Sequence, residues 1–93
     1  MRTACGRVPT ISVFYGIVVK MFFDDHDPPH IHVEYAGDAA AVNLATGEVM
    51  AGRSSLRALR LVREWMALRE SELNENWALA KSRRPVQPVE PLP

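Results

Sequence analysis

The sequence predicts an α+β domain: an antiparallel β-meander of three to five strands packed against one long C-terminal helix, straight or kinked. Three observations predict it. Between Thr10 and Ala36 apolar and polar or β-branched residues recur with the period of strands. Turn-forming residues punctuate this half at Gly16, Gly37-Asp38 and Thr46-Gly47. From Leu56 onward the apolar spacing changes to that of a helix.

TISVFY, residues 10–15, alternates and reads as the first strand. Gly16 allows a bend, and the β-branched and aromatic run IVVKMFF, residues 17–23, forms the second. Residues 24–29 break the ladder, because proline offers no N–H and three acids sit beside it. HIHVEYA, residues 30–36, alternates strictly: Ile31, Val33 and Tyr35 point one way, and His30, His32 and Glu34 the other. Residues 39–44 make a weaker strand, and residues 48–50 a short last segment after the Thr46-Gly47 turn.

Ser54 or Ser55 is a plausible N-cap. Leu59, Val62, Met66, Leu73 and Trp77 then recur at helical spacing, flanked by Leu61, Trp65 and Leu68. One helix over residues 56–81 follows, with polar residues 69–71 marking the place where it can break. The two tryptophans are expected in the core, and Leu59, Val62, Trp65, Met66 and Trp77 on the buried face. The tail RRPVQPVEPLP is too rich in proline for a helix and is expected to be extended or disordered from about residue 83. The organisation is therefore a single domain over residues 8–93.

The 93-residue length and 47% hydrophobic content suit one small globular domain with a modest core. No apolar run reaches the length of a membrane span, and the N-terminus lacks a signal-peptide core. A single cysteine, Cys5, excludes an internal disulfide and fits a reducing cytoplasm. Eleven basic and eleven acidic residues balance, so the molecule as a whole does not attract nucleic acid; any such binding needs a local patch.

The densest chemistry lies in FFDDHDPPHIHVEY, residues 22–35, which holds all three histidines and four acids. His30 and His32, two apart on a strand, share a face with Cα atoms about 6.6 Å apart. With His26 swinging in from the loop, and Asp24, Asp25, Asp27 or Glu34 supplying oxygen, they can converge on a divalent transition metal such as zinc, nickel, iron or manganese. The metal set is Asp24, Asp25, His26, His30 and His32. The same histidines, His26, His30 and His32, are candidates for acid–base catalysis of a ribonuclease type, because imidazole titrates near neutrality and needs no cofactor. A third reading is structural: a histidine beside Asp-Pro-Pro donates to a loop carbonyl or carboxylate and holds the turn. The placement of the histidines on the outward face favours a functional centre, expected to be exposed. No nucleophile elbow or phosphate loop accompanies them.

Arg53, Arg57 and Arg60 fall four and three apart on one expected helix face. Arginine in the first helical turns opposes the macrodipole, which suggests an anionic counterpart. That counterpart is either a bound phosphate or the chain's own acidic hairpin.

The stretches PTISVFYGIVVKMFFDDHDPPHIHVEY, ATGEV, RALRLVREWMALRESELNENWALA and VEPL resemble the small bacterial family known as domain of unknown function 4160. The likeness runs over residues 9–92, and the DDH-x-PPH-x-H core with the REW…NW helix is highly specific. The resemblance implies a chain that starts near Val8 or Pro9. Residues 1–7 are then a flexible extension or a mis-called start, and dispensable for stability. It also implies a neighbouring small gene of the domain of unknown function 2442 family, and so a two-gene module similar to toxin–antitoxin pairs.

Three functions are compatible with these readings. The first is a toxin–antitoxin-like component that acts on RNA or a protein partner through the His/Asp hairpin. The second is a metal-binding module built on His26, His30 and His32. The third is a non-catalytic partner-binding domain that uses its broad helix face. Whether the chain is an enzyme is left open by the residues themselves.

Overall fold

The computed structural model describes residues 10–23 and 26–93. Residues 1–7 and the pair Asp24 and Asp25, which carried expectations, lie outside the described residues. Among the described residues there are five strands and two helices: β1 (Thr10–Phe14), β2 (Ile17–Lys20), β3 (His30–Tyr35), β4 (Asp38–Asn43), β5 (Val49–Gly52), α1 (Leu56–Leu68) and α2 (Glu70–Lys81). The fold is α+β. The strands form one antiparallel sheet in chain order, each beside the next.

Local chemistry explains the connections. Tyr15 and Gly16 both have positive φ, 51° and 79°, and so do Ala36 and Gly37, 52° and 85°. Two consecutive positive φ values mark the two-residue hairpin turn whose twist matches the strands it joins. The second turn is therefore Ala36-Gly37, not Gly37-Asp38, and Asp38 already pairs with Tyr35. The β4–β5 loop is organised by Asn43, whose Oδ1 accepts from the amides of Ala45 (2.7 Å) and Thr46 (3.0 Å).

Register places the apolar residues on one face. Val33 stands between Val19 and Ala40, and Ile31 opposite Val42. These side chains are buried with Ile17 and Met21 beneath the helices. From α1 come Ala58, Leu59, Val62, Trp65 and Met66, and from α2 Leu73, Trp77 and Ala80. Trp65 is fully buried, with its ring 5.2 Å from that of Phe14. Each large side chain so placed contributes about 1.5–3 kcal/mol.

The helical region is two helices rather than one long one. Arg69 ends the first and begins the second: its φ and ψ, −117° and 24°, lie outside the helical region. Its amide closes α1 on the Trp65 carbonyl, and its carbonyl opens α2 by accepting from Leu73. Its Nε donates to the Glu90 carbonyl at 3.2 Å, which ties the break to the tail. Ser55 is the N-cap of α1 and accepts from the Ala58 amide at 3.1 Å.

The tail is extended and held. Trp65 Nε1 donates to the Glu90 carbonyl at 2.7 Å. Asn76 donates to the Gln87 carbonyl and accepts from its amide, both at 2.8 Å. The Val89 amide donates to the Ile11 carbonyl of β1 at 2.7 Å, and Val89 is buried. The Tyr15 hydroxyl donates to the Pro93 carbonyl. The proline-rich segment thus lies against β1 and seals that end of the sheet. No helix among the described residues is long and apolar enough to cross a membrane.

Candidate functional site

The histidine hairpin separates into three environments. His30 begins β3 and is only 5% exposed, against the expectation that it faces solvent. Alternation ceases to separate the two faces at the end of the strand, and the ring comes 5.4 Å from that of Trp77 in α2. Its Nδ1 lies 2.7 Å from the Pro28 carbonyl oxygen. A carbonyl only accepts, so this contact places a proton on Nδ1. His32 is half-buried, 5.0 Å from the His30 ring and 4.4 Å from that of Phe22, edge-on in both cases. His26 is exposed in the loop. The structure therefore brings the rings of His30 and His32 together, and His26 is exposed in the loop before them.

Among the described residues no group of three or more His, Cys, Asp or Glu side chains is arranged to hold a metal ion. The expected set of Asp24, Asp25, His26, His30 and His32 includes two residues outside that description.

The arginines do not share one helix face, because Arg53 precedes the N-cap Ser55. Its Nε lies 3.3 Å from Asp38 Oδ1, and its side chain is 86% exposed. That contact links the arginine-rich segment to the acidic hairpin, at the strength of a surface ion pair, about 0–1 kcal/mol. Arg57 and Arg60 are exposed on α1. Arg63, which the sequence does not single out, donates from Nε to the Gly47 carbonyl at 2.7 Å and clamps the β4–β5 loop to α1.

The helix-free face of the sheet is a second candidate. Register aligns Val13, Val18, Glu34 and Ala39 in one row across it, and Lys20, His32, Ala41 and Ala51 in the next. Lys20 and Glu34 join the rows through a 2.8 Å ion pair. A depression of about 260 Å³ is lined by Phe22, His32, Glu34, Ala39, Ala41 and Ala51. A larger groove of about 610 Å³ between α1 and the end of the tail, lined by Tyr15, Leu61, Leu68 and Leu92, contains none of the histidines. Sequence alternation marks the face by default, as the positions that the core leaves over. Its apolar character emerges only when register sets Ala39, Ala41 and Ala51 side by side.

A family model matches residues 16–78, more than half of the chain. The chain belongs to the family described as Domain of unknown function (DUF4160). The DUF4160 match begins at the β1–β2 turn and ends within α2, narrower than residues 9–92, over which the resemblance runs. It contains the histidine hairpin, the open face from β2 to β5 and the Arg69 break, and it excludes β1 and the tail that covers it. No curated protein and no solved structure matches the DUF4160 chain.

Proposed function

We propose that this DUF4160 chain is a partner-binding domain, whose helix-free sheet face receives an apolar surface of another protein, as one component of a two-gene, toxin–antitoxin-like module. The observation that supports the reading is the composition of that face. An antiparallel sheet with one solvated face alternates apolar inward and polar outward. Here Val13, Val18, Phe22, Ala39, Ala41 and Ala51 occupy outward positions, and Val13 is 55% exposed. The two charges among them, Lys20 and Glu34, neutralise each other. A phosphate backbone needs unpaired cations. The small side chains of Ala39, Ala41 and Ala51 instead let a helix or loop of a protein approach closely. Apolar patches of this kind mark interaction sites.

The family's expected neighbour, a DUF2442-like product, is the first partner to test. Co-expressed with it, the chain is expected to co-purify, and Ala41→Arg to abolish the complex while a double reversal of Arg57 and Arg60 to glutamate leaves it intact. The opposite pattern overturns the reading in favour of an anion-binding helix face. The catalytic version of the module would rest on His32, the histidine that lines the depression. Growth arrest caused by the chain alone and removed by His32→Ala would put catalysis in place of docking. Metal bound stoichiometrically to untagged protein would favour the metal-binding alternative.

A further inference from the structure

The two edges of the sheet are treated differently. At β1 the chain supplies its own tail, through Val89 on Ile11 and Tyr15 on Pro93. At the other edge, β5 is exposed at all four positions, with Val49 36% and Met50 43% exposed. Edge strands are usually protected by short length, a bulge, lysine, proline or a covering segment, and β5 has the first two: four residues, with a register shift against β4 between Val49 and Ala51. Val49-Met50-Ala51-Gly52 carries no charge and no proline.

Its main-chain directions can be read from the bonds it already makes. The Glu48 carbonyl accepts from Asn43, and the Arg53 amide donates to Ala39, so both point towards β4. Across a trans peptide bond N–H and C=O point in opposite directions. The Val49 amide and the Gly52 carbonyl therefore point away from β4, at the open edge.

The hexapeptide Glu48-Val-Met-Ala-Gly-Arg53 is complementary to itself. The register shift between Val49 and Ala51 puts Val49 and Gly52 on the same face, opposite Val42 and Ala40. In an antiparallel pairing with a second copy about a two-fold axis, Val49 therefore stands opposite Gly52, Met50 opposite Ala51, and Glu48 opposite Arg53. Each of these pairings occurs twice. The outward Val49 amide then meets the outward Gly52 carbonyl of the other copy. Each terminal glutamate meets an arginine whose side chain is 86% exposed.

We infer that β5 is a self-association edge, and that two copies of the chain join through it into one continuous ten-stranded sheet with all helices on the same side. Because the tail occupies β1, pairing ends at two copies rather than running on into a fibre. The inference does not depend on the open-face reading, although the dimer would place the two open faces side by side. A four-residue edge with its flanking side chains lies at the small end of specific interfaces, so the dimer is expected to be weak.

Sedimentation of the full chain over roughly 1–500 μM tests it, a range suited to a small interface. The expected result is a monomer that becomes a dimer, with no larger species. Val49→Pro removes a donor that β4 does not use, so it is expected to abolish the dimer and leave the circular dichroism unchanged. Glu48→Arg and Arg53→Glu each set like charges opposite one another in a homodimer and are expected to remain monomeric alone. Mixed together, they are expected to form a heterodimer, because every terminal pair is then opposite in sign. Ala41→Arg, on the open face, is expected to leave self-association unaltered. A chain that stays monomeric throughout, a dimer indifferent to both charge reversals, or one that Ala41→Arg dissolves overturns the inference.

Discussion

His30 and His32 are two positions apart on one strand, yet the chain uses them differently. His30 is packed against Trp77 and bonded to the Pro28 carbonyl, and His32 rests half-covered between Phe22 and the His30 ring. His30→Ala would leave the Pro28 carbonyl without its donor and a gap beside Trp77. It is expected to cost about 2 kcal/mol in urea unfolding. His32→Ala is expected to stay within about 1 kcal/mol. Equal losses would mean that the two rings share one environment. The alternation of HIHVEY gave the faces of Ile31, Val33 and Glu34. It could not give the burial of His30, because that depends on Trp77, 47 positions away in the chain.

At the scale of the element, glycine shows what the turns demand. Gly37 has φ of 85° with nothing within 4 Å of the position that a Cβ would take. Gly52 has φ of 75°, and a Cβ there would overlap the Ala39 carbonyl oxygen, the acceptor of the Arg53 amide. Gly37→Ala is expected to cost about 1–2 kcal/mol, the conformational term alone. Gly52→Ala is expected to cost clearly more, about 3 kcal/mol or above, because β4 and β5 must also part. Thermal melts of the two variants side by side check the order. Strands and helix spacing were legible because period two and period 3.6 are local properties. The division at Arg69 was legible only as an interruption of the apolar stripe. The break is accompanied by a tertiary contact, the bond from Arg69 to the tail, which no local pattern announces.

For the whole molecule, the least legible part is the tail. Its prolines exclude a helix, but nothing local says that Val86, Val89 and Leu92 pack on the core or that Asn76 and Trp65 wait for it. A buried asparagine in a helix is the signal that was available, since asparagine is a poor helix former unless its amide is engaged. A chain ending at Arg84 loses the burial of Val89 and leaves the Asn76 amide and Trp65 N–H unpaired. The loss is expected on the order of 5 kcal/mol, comparable with the entire stability of a small domain. Such a chain is expected to lose the near-ultraviolet circular dichroism of its tryptophans. A truncated chain that melts as the full one does would show that the tail is ornamental.

Nearly every polar bond to that tail ends on main chain: the amide and carbonyl of Gln87, the amide of Val89, the carbonyls of Glu90, Pro91 and Pro93. The body of the protein therefore counts the tail's residues more than it spells them. Exchanging the side chain of Gln87 or Glu90 leaves the pattern of amides and carbonyls in place. Inserting one residue between them moves every later carbonyl by about 3.3 Å, the rise of an extended residue, and puts each out of reach of its donor. Over time the exposed letters of such a segment, Gln87 and Glu90 among them, are free to drift, while its buried valine and its length are held as firmly as those of any strand in the sheet.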